Sequence, residues 1–429
     1  MTETVKVYGD LGHYDVIVVG GGTSGCAAAV SAADRGMKTL IIEEAAYLGG
    51  TATGGLISMF MGFSDRESWE TQSGFVGELL GRLKAENATQ GMNTIYLCGK
   101  KELAVPVVPY EAEPLKRILH QMVRSHRVEV MLHTSMIQVI MDGGKRITRL
   151  LVHNVNGIQT IEADVIVDAS FHGSVAFEAG CGYEAGDPDG VLQPGSLMYR
   201  MADVDQTAYA QVSQEEKEAI AARGIREGSL YVNNLLARPL PDGTMYSNMS
   251  RIQVDPFDIR KWTEAEMKAR EQVRDISNFF VQNVPGFQDA VLCETGAFTG
   301  LRDSRRILGK YVLTGADVLT GKEFSDAVAE SSYPIDIHDT RGTSSTIIKP
   351  EKGYFQVPFR SLVTEEVENL ILAGRCISAD YEAHACIRVM ITCMRTGEAA
   401  GIGAAESVKR QVPVSQVNGV AVSRQIYNR

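Results

Sequence analysis

Near the N-terminus the chain passes from a continuous apolar run to glycines and then to small residues. Tyr14–Val19 reads as a buried strand, Gly20–Gly22 as a break, and Thr23–Arg35 as a helix that Gly36 ends. Lys38–Ile42 is then a second strand closing on Glu43. Residues 49–63 hold too many glycines for a regular element and predict a loop with a short helix. Phe75, Leu79, Leu80 and Leu83 fall on one side of a helix over 70–86, and Pro114 opens another over 111–125. Strand patterns follow at 129–133, 136–141, 149–155 and 163–168, with Asp142-Gly143-Gly144 as a turn. Residues 186–260 mix turn clusters and strand signals, 263–283 and 303–313 predict helices, and a last helix runs from near Val389 to Lys409. The order of elements predicts an α/β protein in which a second unit is inserted, rather than two tandem domains.

The first break carries chemistry. Gly20, Gly22 and Gly25 have G-x-G-x-x-G spacing, and Glu43 falls close to the ~20 residues expected for the acid that follows. Gly20 permits the tight turn out of the strand. Gly22 lets a pyrophosphate approach the backbone, and Gly25 lets the helix pack on the sheet. The helix N-terminus, with Thr23 and Ser24 in its first turn, offers free N–H groups and a positive dipole end to phosphates. Glu43 can accept hydrogen bonds from adenosine ribose hydroxyls. Glu44, Gly50 and Thr51 are grouped with it as cofactor contacts. The reading is a bound dinucleotide. A second glycine cluster, Gly180-Cys181-Gly182 to Gly186, follows a helical pattern over 174–179 instead of a strand, so a second nicotinamide domain is not expected.

Composition narrows the classes. Forty-two basic against 53 acidic residues give a net charge of −11, with no Lys/Arg block, which argues against nucleic acid or an anionic membrane as partner. The apolar stretch Val16–Ala33 is interrupted by Gly20, Gly21, Gly22 and Gly25, which fits strand–turn–helix rather than a membrane span. The seven cysteines are scattered and form no C-x-x-C, so a dithiol pair, zinc knuckle or iron–sulfur site has no local support. That pattern, and the lack of a signal-peptide pattern in the first thirteen residues, lead to a cytoplasmic expectation. The histidines form neither H-x-x-x-H nor H-E-x-x-H, and no metal is expected.

Three stretches together resemble the glutathione-reductase-type group of FAD-dependent oxidoreductases: the glycine turn with Glu43, Val165–Ser170, and Asn369–Ser378 followed by Ile387–Met390 and Gly397. Gly300–Ile307 and Tyr333–His338 also match the group, and the likeness covers about residues 14–410. It implies FAD as cofactor and a Rossmann-like FAD-binding domain built from 1–49, 111–185 and 350–410. It implies an inserted α+β substrate domain over 186–349, a helical cap or connection over 50–110, and a tail over 411–429. It places Ala169, Ser170, Gly374, Arg375, Val389 and Met390 on the cofactor, and Met136 where a backbone group meets the adenine. Asp168-Ala169-Ser170 departs from the group's Asp-Ala-Thr-Gly ending, and Phe171-His172 stands where the group more commonly has a small or acidic pair. The last helix's N-terminus would face the negative charge of reduced flavin.

Candidates for the substrate chemistry lie outside the fingerprint. Arg302, Arg305 and Arg306, at i, i+3 and i+4, would share one face of a helix and suit a carboxylate or phosphate. His384 and Arg388, four apart before the flavin-facing helix, are read as an acid–base group and its companion. His338, between Asp336 and Asp339, is a further acid–base candidate, set against a loop-capping role. Cys376 and Cys386 are read as small buried hydrophobes. The expected function is hydride transfer between a small, anionic organic substrate and flavin N5. The alternatives are an electron-transfer or non-catalytic FAD subunit of a larger complex, and an NAD-dependent dehydrogenase. A homo-oligomer is expected only because symmetric dimers are common.

Overall fold

The computed structural model describes residues 6–340 and 343–427. At its centre Glu129–Met131, Thr39–Ile42, Gly9–Val19 and Gly157–Asp168 lie side by side in parallel, and Leu370–Leu372 joins Gly157–Asp168 in the same sense. Ile147–Asn154 and Ser135–Met141 extend this seven-stranded sheet antiparallel. Register decides the site. Val19 is level with Ile42 and with Asp168, and Asp168 with Leu372. Gly20, Glu43, Ala169 and Ala373 therefore leave the sheet together at the carboxyl ends of their strands, where open α/β sheets bind ligands. This is a mixed α/β fold with a Rossmann-like parallel sheet.

Two helices cross on one face of that sheet, Thr23–Ala33 and Met390–Arg410. Their backbones touch because the second carries Gly397 and Gly401 four residues apart. A Cβ at Gly397 would lie 2.2 Å from the Ser24 carbonyl oxygen, and one at Gly401 2.1 Å from that of Ala28. The crossing fixes both helix N-termini relative to each other.

A second core, reaching from Leu197 to Leu301, belongs to the inserted unit. Ala237–Pro239, Met245–Ser247, Tyr199–Ala202 and Val291–Thr295 form its antiparallel sheet, and the long helix Ile259–Asn283 packs over them. The Asp258 carboxylate starts that helix by accepting from the Arg260 and Lys261 N–H groups.

Several expectations change. The inserted unit is narrower than 186–349, because Leu313, Val318, Val328, Ala329, Tyr333 and Ile335 pack into the first core. The 50–110 segment is not mainly helical: beside the helix Gly74–Ala85 it forms a three-stranded antiparallel sheet of Met59–Met61, Ala104–Pro109 and Asn93–Tyr96. Helices Gln206–Gln211 and Gln214–Arg226 occupy part of the stretch read as strands and turns. The tail carries a helix, Gly419–Tyr427, whose Val422 is fully buried. The helix over 303–313 does not form. Arg306–Ile307 pairs as a strand with Tyr183–Glu184, while the Leu308 and Lys310 N–H groups donate to Gly182 and Val363 carbonyls at 2.8 and 2.7 Å. Donors spent on distant segments are lost to an i to i−4 ladder.

Candidate active site

The glycine turn has the geometry its sequence implies. Gly20 has φ of +101°, and a Cβ on Gly25 would lie 1.9 Å from the Gly20 carbonyl oxygen, so neither position tolerates a side chain. At Gly22 an added Cβ meets nothing within 4 Å. That open space lies over the first helix, whose N-terminus has no side-chain cap. Open space beside unspent helix N–H groups is what a pyrophosphate requires. Glu43 closes the turn from the side: its Oε2 accepts from the Gly21 N–H at 2.6 Å and its Oε1 from the Ala45 N–H at 2.8 Å. Burial raises its pKa, and those amides pull it back toward the carboxylate. Thr23 and Ser24 are buried in the first turn of the helix, Glu44 is exposed, and Gly49 bridges to Gly22, bringing Gly50 and Thr51 beside the turn.

Beneath the turn, Asp168 is fully buried. Its Oδ1 accepts from the Ser170 hydroxyl at 2.6 Å and backbone at 3.1 Å, and its Oδ2 from the Ala176 N–H at 3.0 Å. Asp168 thus shapes the Ala169–Ser170 turn rather than facing a ligand. Gly374 has φ of +77°, and a Cβ there would sit 2.5 Å from the Ser24 Oγ. Met136 is half-buried on its strand, opposite Val152. The helix Met390–Arg410 starts at Val389 without a side-chain cap.

Val389 and Met390 line a cavity of about 240 Å³ between the two cores, together with Thr51 and Arg375. The opposite walls come from the 50–110 sheet through Met59, Met61 and Ile95, and from the inserted unit through Met198 and Tyr246. Among the described residues, five arginines reach this cavity, Arg238, Arg251, Arg302, Arg375 and Arg388, against a single carboxylate, Asp336. Burial lowers the pKa of Arg238 and Arg251, that of Arg302 to about 9 and that of Arg375 to about 10; neighbouring Arg388 adds to the last two. At those values Arg302 and Arg375 stay cationic at neutral pH. Arg302 donates to the Pro194 carbonyl and, at 2.9 Å, to the Ser196 hydroxyl. Arg375 lies over the Phe171 ring at 3.8 Å and donates to the Leu301 carbonyl at 2.9 Å. Arg388 donates to the Asp336 carbonyl at 2.8 Å, while its buried Nη1 has no hydrogen-bond partner.

The cavity also holds His338, with Asp336 and Ser345. The other predicted residues go elsewhere. His384 is not on the cavity wall; it is buried, its Nε2 3.0 Å from the Arg375 carbonyl oxygen and its Nδ1 3.9 Å from Asp303. Burial, then Arg306, Arg388 and Arg375, push its pKa well down, so it is a neutral support behind Arg375. The three arginines expected on one helix face diverge in the absence of that helix. Arg302 enters the cavity, Arg306 is buried against Asp303 at 3.1 Å, and Arg305 stacks on Phe177 at 3.9 Å and Phe257 at 4.7 Å. Cys376 and Cys386 are buried, matching their reading as small hydrophobes. Sequence reasoning missed Arg238, Arg251 and Ser345, which carry no local motif. Among the described residues, one group, the exposed His13 with the half-buried Asp15 and Asp164, brings metal-type donor atoms within 4.8 Å of one another; Asp15 also accepts from the Lys38 N–H. No described helix is long and apolar enough to cross a membrane.

With this geometry, comparison with known proteins gives a clear class. The chain belongs to the FAD dependent oxidoreductase family, whose model matches residues 15–426. It is a flavoenzyme with FAD as cofactor. No curated protein matches it. Among solved structures it is similar to the flavin-dependent brominase Bmp2, with a TM-score of 0.51 and 12% identity over 97% of this chain and 84% of that one. It is also similar to CabE, an aromatic hydroxylase from angucycline biosynthesis, with a TM-score of 0.52 and 12% identity over 97% of this chain and 68% of that one. At such identities the likeness speaks for the fold alone.

Proposed function

We propose that this flavoenzyme transfers a hydride between a small organic anion and flavin N5. The observation that carries this reading is the charge imbalance of the cavity, five arginines to one carboxylate among the described residues, at the N-terminus of the flavin-facing helix. When bound, FAD supplies the two-electron chemistry. The chain supplies the rest. The glycine turn and Glu43 hold the nucleotide end, as in the glutathione-reductase-type arrangement that the motifs resemble. The uncapped amides at Met390 and the cation of Arg375 favour negative charge on the ring. Arg302, Arg251 and Arg388 hold the anionic group of the substrate and orient its reacting carbon. The apolar wall of Met59, Met61, Ile95 and Met198 excludes water.

The test is anaerobic mixing of the purified, FAD-loaded protein with NADH, NADPH and a panel of hydroxy, keto and unsaturated carboxylates, before and after dithionite reduction. Bleaching of the flavin by a carboxylate, or reoxidation of the reduced flavin by one, supports the reading. Bleaching by a nicotinamide with no response to any carboxylate refutes it.

A further inference from the structure

One strand pair in the cavity carries a hydrogen-bonded series that the anion-binding role does not need. Ile335–His338 pairs antiparallel with Ser345–Ile348, and His338 stands directly opposite Ser345. Residues two apart on a strand share a face, so Asp336, His338 and Ser345 come together. His338 Nε2 faces Asp336 Oδ2 at 3.4 Å, and the Tyr333 hydroxyl donates to the same oxygen at 3.0 Å. His338 Nδ1 lies 3.1 Å from Ser345 Oγ. Arg251 Nη2 donates to that Oγ at 3.4 Å. Asp336 fixes the ring proton on Nε2, which leaves the Nδ1 lone pair to accept from the Ser345 hydroxyl.

Protonation states agree with this order. Burial opposes ionisation of Asp336, but the His338 ring, Arg388 and the Tyr333 hydroxyl outweigh it and hold its carboxyl well below the usual range. Burial, then Arg302, lower His338 to about 3, so its ring is neutral at pH 7 and its Nδ1 is an acceptor for the Ser345 hydroxyl; the ring takes up a proton only when negative charge gathers on Ser345 and the substrate oxygen.

We propose that Ser345, His338 and Asp336 form a proton relay, and that the substrate is a hydroxy acid whose hydroxyl meets Ser345 Oγ while its carboxylate meets the arginines. This rests on the anionic-substrate reading above and specifies it. The cationic wall favours a neutral hydroxyl over an ammonium as the oxidised group, since like charges repel. In the step, the substrate O–H breaks and its proton passes to Ser345 Oγ, while the Ser345 proton passes to His338 Nδ1. With FAD bound, the neighbouring C–H would break and the oxidised cofactor would take its electron pair as a hydride, while C–O becomes C=O. The products are a keto acid, an imidazolium facing Asp336, and cofactor reduced by two electrons. Ser345 is the catalytic residue; His338 and Asp336 act through it.

Oxalate, fully ionised at pH 7, presents a carboxylate and a second anionic oxygen where the alcohol oxygen would lie. Its binding to the FAD-loaded protein is followed by titration calorimetry in two buffers of different ionisation enthalpy. The expected result is uptake of about one proton per oxalate in the wild type and none in H338Q, with S345A intermediate or null. The groups facing His338 are Asp336, Tyr333, Arg251, Arg302 and Arg388, with Cys98 and Asp339 close to Asp336 and Arg251. D336N separates the carboxylate's contribution from that of the ring. Oxalate binding without proton uptake overturns the relay and leaves the anion site standing. Absence of binding by oxalate overturns the anion site itself. As an independent measure, S345A should slow anaerobic flavin reduction by the active hydroxy acid about 100-fold with little change in its dissociation constant. An unchanged reduction rate overturns the relay. Ser345 is only half-buried, so its loss of one oxygen spares the fold.

Discussion

Gly22 and Gly25 belong to one motif yet predict opposite consequences for a single methyl group. Gly22 has φ −64° and ψ 177°, values that alanine adopts without strain, and an added Cβ meets nothing within 4 Å. Gly22→Ala should leave the apoprotein fold intact, or firmer by about 0.4–1 kcal/mol through a less flexible unfolded chain. The methyl does, however, enter the space assigned to the pyrophosphate. Displacing a close-packed ligand by one carbon costs about 1–3 kcal/mol, which weakens FAD binding by about 5- to 150-fold. Gly25→Ala acts differently. Its Cβ would sit 1.9 Å from a backbone carbonyl oxygen, so the helix must move, and both stability and FAD affinity should fall. The assay pairs thermal unfolding of each apoprotein with FAD titration followed by flavin fluorescence. Wild-type FAD affinity in Gly22→Ala, or an apoprotein unfolded by that change, would refute the placement of the pyrophosphate.

Three further outcomes are expected. Arg302→Met should weaken carboxylate binding by about 2 kcal/mol or more, read as at least a roughly 30-fold rise in the oxalate dissociation constant; an unchanged constant would remove Arg302 from the anion site. His126 bridges Asp34 and Glu78, with Nε2 2.9 Å from the Glu78 carboxylate. Burial alone would lower its pKa, but hydrogen bonds to both carboxylates raise it on balance. Its contribution to stability is therefore fully present below the unfolded value of about 6.5 and is lost as pH rises through the higher folded value. The difference in melting temperature between wild type and His126→Gln should shrink across that window, and a constant difference from pH 5 to 9 would contradict it. Glu398 is buried, pairs with Arg395 at 3.0 Å and accepts from the Phe75 N–H at 2.7 Å. Glu398→Ala leaves that amide unpaired and the buried Arg395 with only the Ser73 carbonyl and the Gln72 side chain as acceptors, and should cost about 3 kcal/mol in urea unfolding; a loss under 1 kcal/mol would show that water replaces the carboxylate.

The sequence by itself determined the glycine turn and the helix that follows it. A glycine turn, its strand and its helix are contiguous, and the constraints on Gly20, Gly22 and Gly25 are local ones of φ, Cβ volume and helix dipole. The C-terminal strand and helix were legible for the same reason, as was the mixed α/β plan with its parallel sheet. The substrate end was not. Arg238, Arg251, Arg302 and Arg388 come from four separate stretches, and no periodicity marks them as neighbours. Local pattern misled where long-range pairing took the backbone donors: residues 303–313 read as a helix, but Arg306–Ile307 is held as a strand by Tyr183–Glu184. His384 had the more suggestive place in the sequence and proved buried behind the wall, while His338 faces the cavity because a hairpin register sets it opposite Ser345. Which side chains share a cavity depends on strand register and on how two cores meet. Both are fixed by burial summed over the whole chain, and no local stretch encodes that sum.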